Sequence, residues 1–424
     1  MSVVTKKIGK GISFHYVYCD KFKSNSYTAH FIAPLALETA ALYALLPQVL
    51  ERGSASYPTK ALISKRLETL YSADFSCRAS RNGEHQDIIF SLEALDDRFS
   101  YDGTEIFREG CALLSSILFQ PLVADGAFSE EYVEGEKKLL CDAIKARINN
   151  KTAYALTRCK EIMCEGEPYG ISELGTEETV KVITPSSLYE AYLRLLREAQ
   201  IEIFFVGNKP YDEILAITEE IFGRITDRAP VCATVERGSC KAVRSVCEPV
   251  SAVQGKLTLG FRMKEKAPEG VLPLFHAIYS GSPASKLFMN VREKLSLCYY
   301  CQATADNQKG VMFVYSGIEN QNAEKAKEEI LHQLEEIVNG NITEEELHCA
   351  KQYTLNNLRS IDDSAYSIEN WYLRCILLDS LCEPEDRARA VEALTAKDVA
   401  EFAKCISLDT VYLMKGTMKE EGEG

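Results

Sequence analysis

Three residues near the end of a helical stretch have the spacing of a zinc-binding motif but lack its ligands. In the segment LPQVLERGS, residues 46–54, Gln48, Glu51 and Arg52 stand where H-x-x-E-H has its first histidine, its glutamate and its second histidine. On a helix, that motif places two imidazoles on one face, where they bind zinc beside a catalytic glutamate. Glu51 keeps the position of the base, but Gln48 is a neutral amide and Arg52 a permanent cation. The segment therefore predicts a zinc-peptidase scaffold that has lost its metal.

Two roles are open for these three side chains. They could line a residual polar cleft that still touches peptide. Alternatively, Glu51 and Arg52 could form a surface ion pair at the end of the helix. The ion pair is favoured, because such pairs are common and contribute little to stability.

Length, charge and composition restrict the class of protein. A chain of 424 residues is too long for one ordinary core and predicts at least two domains. Its 48 basic and 62 acidic residues give a net charge of −14, which argues against nucleic-acid binding. An acidic face could favour basic peptides, although solubility is the simpler reason for the charge. The sequence suggests neither a signal peptide nor a membrane span, and its fifteen cysteines are odd in number and irregularly spaced. We therefore expect a cytoplasmic protein with reduced thiols and no membrane partner.

Local patterns predict a mixture of helices and strands. Alternating residues on both sides of Asn82-Gly83 are typical of a β-hairpin. Thr59 is a candidate N-cap for the helix that follows the degenerate motif. Thr343 and Glu346 have the spacing of a capping box at the start of another helix.

The order of these elements predicts two similar halves. Residues 225–250 contain scattered proline and glycine and few aromatic residues, and form the predicted linker between residues 1–224 and 251–424. Each half ends in a helix followed by a strand, Gln200–Gly207 in the first and Thr410–Gly416 in the second. A duplicated unit explains this pattern, and coincidence between two such endings is the alternative.

The tetrapeptide Cys298-Tyr299-Tyr300-Cys301 is a C-x-x-C motif. It could be a redox pair or half of a zinc site. The sequence contains no second C-x-x-C and no histidine pair at helical spacing. In a regular strand the two cysteines would also point to opposite faces of the sheet. Two reduced thiols beside the core are therefore favoured.

Several segments, in a shared order along nearly the whole chain, resemble the insulinase/pitrilysin family of zinc peptidases, which includes the mitochondrial processing peptidases. They are VLERGS with the YPT that follows (49–59), LETLYSA (67–73), EKKLLCDAI (136–144), and SKLF with VREKLSLCY (285–299). The resemblance implies an α+β fold like that of the processing peptidases. Each of two homologous α/β halves would be a mostly antiparallel sheet covered by helices.

The resemblance also implies where the third zinc ligand would lie. In active relatives it is a glutamate seven residues after another glutamate typical of the family. Glu136 matches the first of these positions and Ala143 falls at the ligand position, although a shift of one residue would place Asp142 there. All three ligand positions, Gln48, Arg52 and Ala143, are thus changed, and we expect this chain to bind no metal or other cofactor.

A second site is implied in the C-terminal half. Active relatives have an arginine and a tyrosine seven residues apart that help to bind substrate near the zinc, and Arg292 and Tyr299 have this spacing. The guanidinium can donate to a peptide carbonyl or a developing oxyanion, and the phenol adds a second donor. The alternative is a buried arginine packed on a core tyrosine at a helix-to-strand corner. The substrate-binding role is favoured, because paired donors in a cleft are typical of a site.

Together these features indicate a non-catalytic subunit of a two-chain zinc peptidase. The expected partner is a homologous subunit with an intact H-x-x-E-H that holds the zinc, and the expected substrate is a peptide. Alone, the chain could form a homodimer. Similar degenerate subunits are encoded beside an active partner in bacteria, some of them associated with elongation factor P modification. The alternatives are a structural protein of the same fold, like the core subunits of respiratory complexes, and an enzyme with a rearranged metal site.

Overall fold

The computed structural model describes residues 2–240 and 242–418, which form two compact units. The first unit contains the described residues up to Lys145 together with Ile171–Thr234 and Asp362–Leu381. The second contains Ala146–Gly170, Val235–Ile361 and the described residues from Cys382 onwards. Each half predicted from the sequence is one continuous stretch of chain, whereas each unit is assembled from three separate stretches.

The secondary structure alternates between groups of strands and groups of helices. The strands are β1 Val4–Gly9, β2 Ile12–Tyr18, β3 Ser24–Pro34, β4 Asp74–Asn82, β5 His85–Leu95, β6 Val123–Ala124, β7 Ala127–Phe128, β8 Gln200–Gly207, β9 Arg244–Val250, β10 Gly255–Met263, β11 Cys298–Asp306, β12 Val311–Ile318 and β13 Ile406–Gly416. The α-helices are α1 Leu37–Leu50, α2 Lys60–Thr69, α3 Ile106–Phe119, α4 Glu130–Ala146, α5 Lys151–Met163, α6 Glu177–Lys181, α7 Pro185–Glu198, α8 Tyr211–Phe222, α9 Val271–His276, α10 Ala323–Val338, α11 Glu344–Arg359, α12 Ala365–Leu377, α13 Pro384–Ala393 and α14 Ala396–Ala403. Two π-helical segments, Ala277–Gly281 and Leu287–Lys294, precede β11.

The main sheet of the first unit is mostly antiparallel. Its strands lie in the order β1-β2-β8-β3-β5-β4, and β2 and β8 are the parallel pair within it. Along β3, Tyr27, Ala29 and Phe31 belong to the large apolar core of this unit. Their neighbours Thr28 and His30 point to the opposite face, because successive side chains alternate along a strand.

The sheet of the second unit repeats this arrangement. Its strands lie in the order β11-β12-β10-β13-β9, and here β9 and β13 are the parallel pair. Read in reverse, as β9-β13-β10-β12-β11, this order corresponds strand by strand to β2-β8-β3-β5-β4 of the first unit. Corresponding strands follow the same order along the chain, and corresponding pairs have the same parallel or antiparallel direction. The shared topology supports the predicted duplication, and the α+β fold class with helix-covered antiparallel sheets is confirmed.

Local signals placed several elements correctly. The hairpin predicted at Asn82-Gly83 joins β4 to β5, and Gly83 has the positive φ of 62° that such a turn requires. The hydroxyl of Thr59 accepts a hydrogen bond from the amide of Leu62, as an N-cap does. The capping box between Thr343 and Glu346 is present at the start of α11. These predictions depend only on residues close together in the sequence.

The segment predicted as a linker, residues 225–250, is not irregular throughout. Its last seven residues form β9, which pairs with β13, and their burial alternates along the strand. Among the described residues, no helix combines the length and apolar character needed to cross a lipid bilayer.

Candidate functional site

The degenerate zinc motif lies at the C-terminal end of α1. Leu45, Leu46, Val49 and Leu50 pack into the core of the first unit and fix the helix against it. Glu51 and Arg52 follow in the final turn. The chain then packs closely against a later part of itself. A Cβ placed on Gly53 would lie only 2.7 Å from the carbonyl oxygen of Pro58, so this position has no room for a side chain. Apolar contacts therefore hold α1 against the core, and the polar residues Glu51 and Arg52 follow at its C-terminal end.

Glu51, which keeps the position of the catalytic base, is held in an ion pair. Its Oε1 lies 2.9 Å from Nζ of Lys60, at the start of α2. The Lys60 side chain is exposed, so this pair is screened by water and contributes little to stability.

Arg52 has a different partner. Its guanidinium donates to the carboxylate of Glu136, which lies on α4 and is buried. The favoured expectation was a surface pair between Glu51 and Arg52, but each pairs with another residue instead. The reason is geometric, since Glu51 faces α2 and Arg52 faces α4. Arg52 therefore supplies the positive charge that compensates a buried carboxylate.

The residues at the three ligand positions do not fit a zinc ion. Gln48 offers an amide, Arg52 a cation, and Ala143, exposed two turns beyond Glu136 on α4, a methyl group. Nearby Cys77 is buried, and burial, with a smaller contribution from the Glu51 carboxylate, raises the pKa of its thiol well above the ordinary value. Within residues 2–240 and 242–418, no group of three or more histidine, cysteine, aspartate or glutamate side chains could hold a metal ion.

Arg292 lies in the π-helical segment that leads to β11. Its guanidinium carbon lies 4.7 Å from the ring centre of Phe288, and its Nε lies 3.3 Å from Oε1 of Glu293. The side chain is 43% exposed. The packing on Phe288 orients the guanidinium but leaves it open to solvent.

Tyr299 lies at an irregularity near the start of β11. Cys298 pairs with Ile318 and Tyr300 pairs with Gly317, so Tyr299 is an extra residue without its own partner on β12. Such β-bulges redirect side chains and are frequent beside functional sites. Tyr299 is 49% exposed. The alternative of a buried arginine on a core tyrosine does not fit, because both side chains are accessible.

The bulge also corrects the expectation for the C-x-x-C motif. The two cysteines were expected on opposite faces of the sheet. Because Tyr299 adds one residue between them, Cys298 and Cys301 lie on the same face of the sheet. A bulge leaves no clear sign in a single sequence, so the spacing alone was misleading.

A buried polar cluster in the first unit was missed by the sequence analysis. His30 on β3 contacts Oδ2 of Asp87 through Nδ1 at 2.8 Å and Oε1 of Glu369 on α12 through Nε2 at 2.9 Å. Burial lowers the pKa of His30, but the charges and hydrogen bonds of Asp87 and Glu369 outweigh this and raise it to about 10. The imidazole is therefore a buried cation between two carboxylates. The one signal in the sequence was a histidine between apolar residues in an alternating strand.

A second buried histidine lies on the same face of that sheet. His15 Nε2 contacts Oε2 of Glu202 at 2.5 Å, and Nδ1 contacts the hydroxyl of Thr5. The ring of Phe204 stacks on His15 and meets His30 edge-on. Both histidines have their ring nitrogens engaged, which indicates structural rather than ligand-binding roles.

Comparisons with known proteins agree with this geometry. Residues 183–353 match the family profile described as "Peptidase M16 inactive domain". A protein of Bacillus subtilis (strain 168) named "Probable inactive metalloprotease YmfF" is 30% identical over 410 residues, which is 96% of either chain.

Solved structures show the same architecture over the whole chain. A conserved protein from Enterococcus faecalis V583 superposes with a TM-score of 0.90 at 26% identity, over 99% of this chain and 100% of that one. A peptidase M16 inactive domain from Pseudomonas fluorescens superposes with a TM-score of 0.83 at 17% identity, over the full length of both chains. At that identity, the second likeness concerns the fold alone.

Proposed function

This chain belongs to the peptidase M16 family as a non-catalytic member, and we propose that it is the substrate-binding subunit of a two-chain zinc peptidase. In this proposal a homologous subunit with an intact H-x-x-E-H supplies the metal centre. The present chain supplies Arg292 and Tyr299. The observation that carries the proposal is a contrast between the two sites. The metal-ligand positions have been replaced by groups that bind no metal, while the arginine and tyrosine are present and accessible.

The chemistry of the two donors suits a peptide. Arg292 carries a permanent charge and several N–H donors, and can hold a carbonyl oxygen of the substrate backbone. The hydroxyl of Tyr299 can donate to a carbonyl on which negative charge develops. Their exposure of 43% and 49% leaves both donors free to meet a second molecule. Packing on Phe288 limits the conformations of Arg292, which reduces the entropy lost on binding.

The test is reconstitution of the two chains. We would co-express this protein with a homologue encoded beside it that carries H-x-x-E-H, purify the complex, and measure cleavage of a quenched-peptide library. We expect a stable heterodimer, with activity that requires both chains and is lost when the glutamate of the partner's motif is replaced. A partner that is fully active alone, or that does not bind this chain, would contradict the proposal. Binding without any effect on turnover would favour the structural-protein alternative.

Location and pathway are further parts of the proposal. We place the complex in the cytoplasm, on the basis of the cysteine content of the chain. An association with elongation factor P modification rests on the family resemblance alone. Deletion of the gene, followed by mass measurement of elongation factor P, tests that association. An unchanged modification state would remove it.

A further inference from the structure

The motif Cys298-Tyr299-Tyr300-Cys301 has an unusual geometry at the start of β11. Cys298 pairs with Ile318 and Cys301 pairs with Ser316, so their partners are only two residues apart. Because of the bulge, two cysteines that are three residues apart in the sequence lie opposite residues that are two apart on β12. Two strand residues span about 6.8 Å, which is at the upper end of the Cα separation that a disulfide bridges, about 4.4–6.8 Å. A regular strand would place the two Cα atoms too far apart.

The two cysteines occupy neighbouring positions on one face of β11, and their thiols differ in access. Hydrogen bonding with the Cys301 thiol, assisted by the charge of Arg292, lowers the pKa of the Cys298 thiol despite its partial burial. The same hydrogen bond and burial raise the pKa of Cys301. Cys298 is partly accessible, whereas Cys301 is only 5% exposed. The accessible Cys298 thiol, beside a cation, has the character of an attacking cysteine, and the buried Cys301 thiol that of a resolving cysteine.

We propose that Cys298 and Cys301 form a redox-responsive dithiol that reacts with low-molecular-weight disulfides. The inference is independent of the proposed function, since it concerns this chain alone. The bulge that places both cysteines on one face of β11, their difference in burial, and the nearby charge of the exposed Arg292 carry the argument. The oxidised form would enclose the backbone of Tyr299 and Tyr300 within a small covalent ring.

The reaction balances in two steps. The Cys298 thiolate attacks one sulfur of the small disulfide, forms a mixed disulfide and releases one thiolate. Cys301 then loses its proton to that thiolate, and its sulfur attacks Sγ of Cys298 and displaces the second small thiol. One small disulfide is reduced to two thiols, and the two cysteines lose two protons and two electrons in total.

Tryptic mapping of the full-length chain provides a direct test. Cleavage after Lys294 and Lys309 gives the peptide Leu295–Lys309, whose cysteines are Cys298 and Cys301 alone. The reduced protein would be equilibrated with mixtures of reduced and oxidised glutathione, alkylated with iodoacetamide and digested. We expect this peptide to lose the mass of two hydrogens and to take up no alkylating reagent under oxidising mixtures. Cys247, exposed on β9 and alone in the peptide Ser245–Lys256, is the matched control and should gain a mixed disulfide instead.

Two variants assign the roles. Cys301→Ser should retain a glutathione adduct on Cys298, because the resolving thiol is absent. Cys298→Ser should gain no adduct at the buried Cys301 while the chain is folded, as checked by circular dichroism. Full alkylation of both cysteines in the native protein, in mixtures that modify Cys247, would overturn the proposal. A disulfide from either cysteine to a third one would overturn it equally.

Discussion

The guanidinium of Arg52 donates to the carboxylate of Glu136, a residue 84 positions later in the chain. The family resemblance places Arg52 at a zinc-ligating histidine and Glu136 at a glutamate typical of the family. In this protein an ion pair instead joins the end of α1 to α4.

This exchange predicts a protein without a metal centre. The purified chain should contain no stoichiometric zinc and should cleave no peptide, because an amide, a cation and a methyl group occupy the ligand positions. Metal analysis after purification without chelators, combined with a quenched-peptide assay, measures both properties. One tightly held zinc per chain together with peptidase activity would show that the metal site had been rearranged rather than lost.

Replacing Arg52 by alanine should lower the free energy of unfolding. The buried Glu136 carboxylate would lose its charged donor, and we expect a cost of about 1–3 kcal/mol, since Arg52 is itself partly exposed. Lys60→Ala removes the exposed partner of Glu51 and should cost less than about 1 kcal/mol. Urea unfolding measures both variants. If Glu136→Gln failed to reduce the effect of Arg52→Ala in the double variant, the pair would not be the cause.

The buried cation at His30 predicts a loss of stability in alkaline solution. Its pKa in the folded protein is raised from 6.5 to about 10 by Asp87 and Glu369. A raised folded-state pKa means that the stabilisation is fully present below about pH 6.5 and disappears as the pH rises through about 10. The free energy of unfolding should therefore fall between pH 7 and 10. His30→Gln should remove most of this slope, whereas the control His332→Gln, at an exposed position on α10, should keep it.

In the reconstituted complex, Arg292→Ala and Tyr299→Phe should each reduce turnover by about 10²–10³-fold, as expected when a donor to developing charge is removed. Assembly should be unaffected, because each change removes a single side-chain function. Arg389→Ala and Tyr366→Phe remove an exposed arginine and an exposed tyrosine hydroxyl elsewhere and are the controls. Parental turnover in both test variants would make the pair structural.

Limited proteolysis should first cut between Arg228 and Arg237. Arg228 donates to the carbonyl of Lys10 in the first unit, and Arg237 to the carbonyls of Met263 and Glu265 in the second, so both are anchored. Residues 231–234 lie between them, outside helices and strands and largely exposed. Subtilisin at low ratio should give two fragments separated at this stretch. First cuts inside α4 or α11 would contradict the predicted boundary.

The sequence alone determined the features that depend on near neighbours. The hairpin at Asn82-Gly83 and the caps at Thr59 and Thr343 were predicted correctly, because the interactions that stabilise them span four residues or fewer. The loss of zinc chemistry is likewise predicted from residue types alone, since no fold makes a ligand of an arginine or an alanine, and it stays a prediction. The family resemblance extended these local signals to the correct fold class.

The tertiary structure decided what depends on distant parts of the chain. His30, Asp87 and Glu369 meet because two strands and a helix pack together, although the last two are separated by 282 positions in the numbering. The bulge at Tyr299 results from the register between β11 and β12, and it brought together two thiols that the spacing had separated. Register and packing are set by the whole core, and a single stretch of sequence contains too little of that core to reveal them.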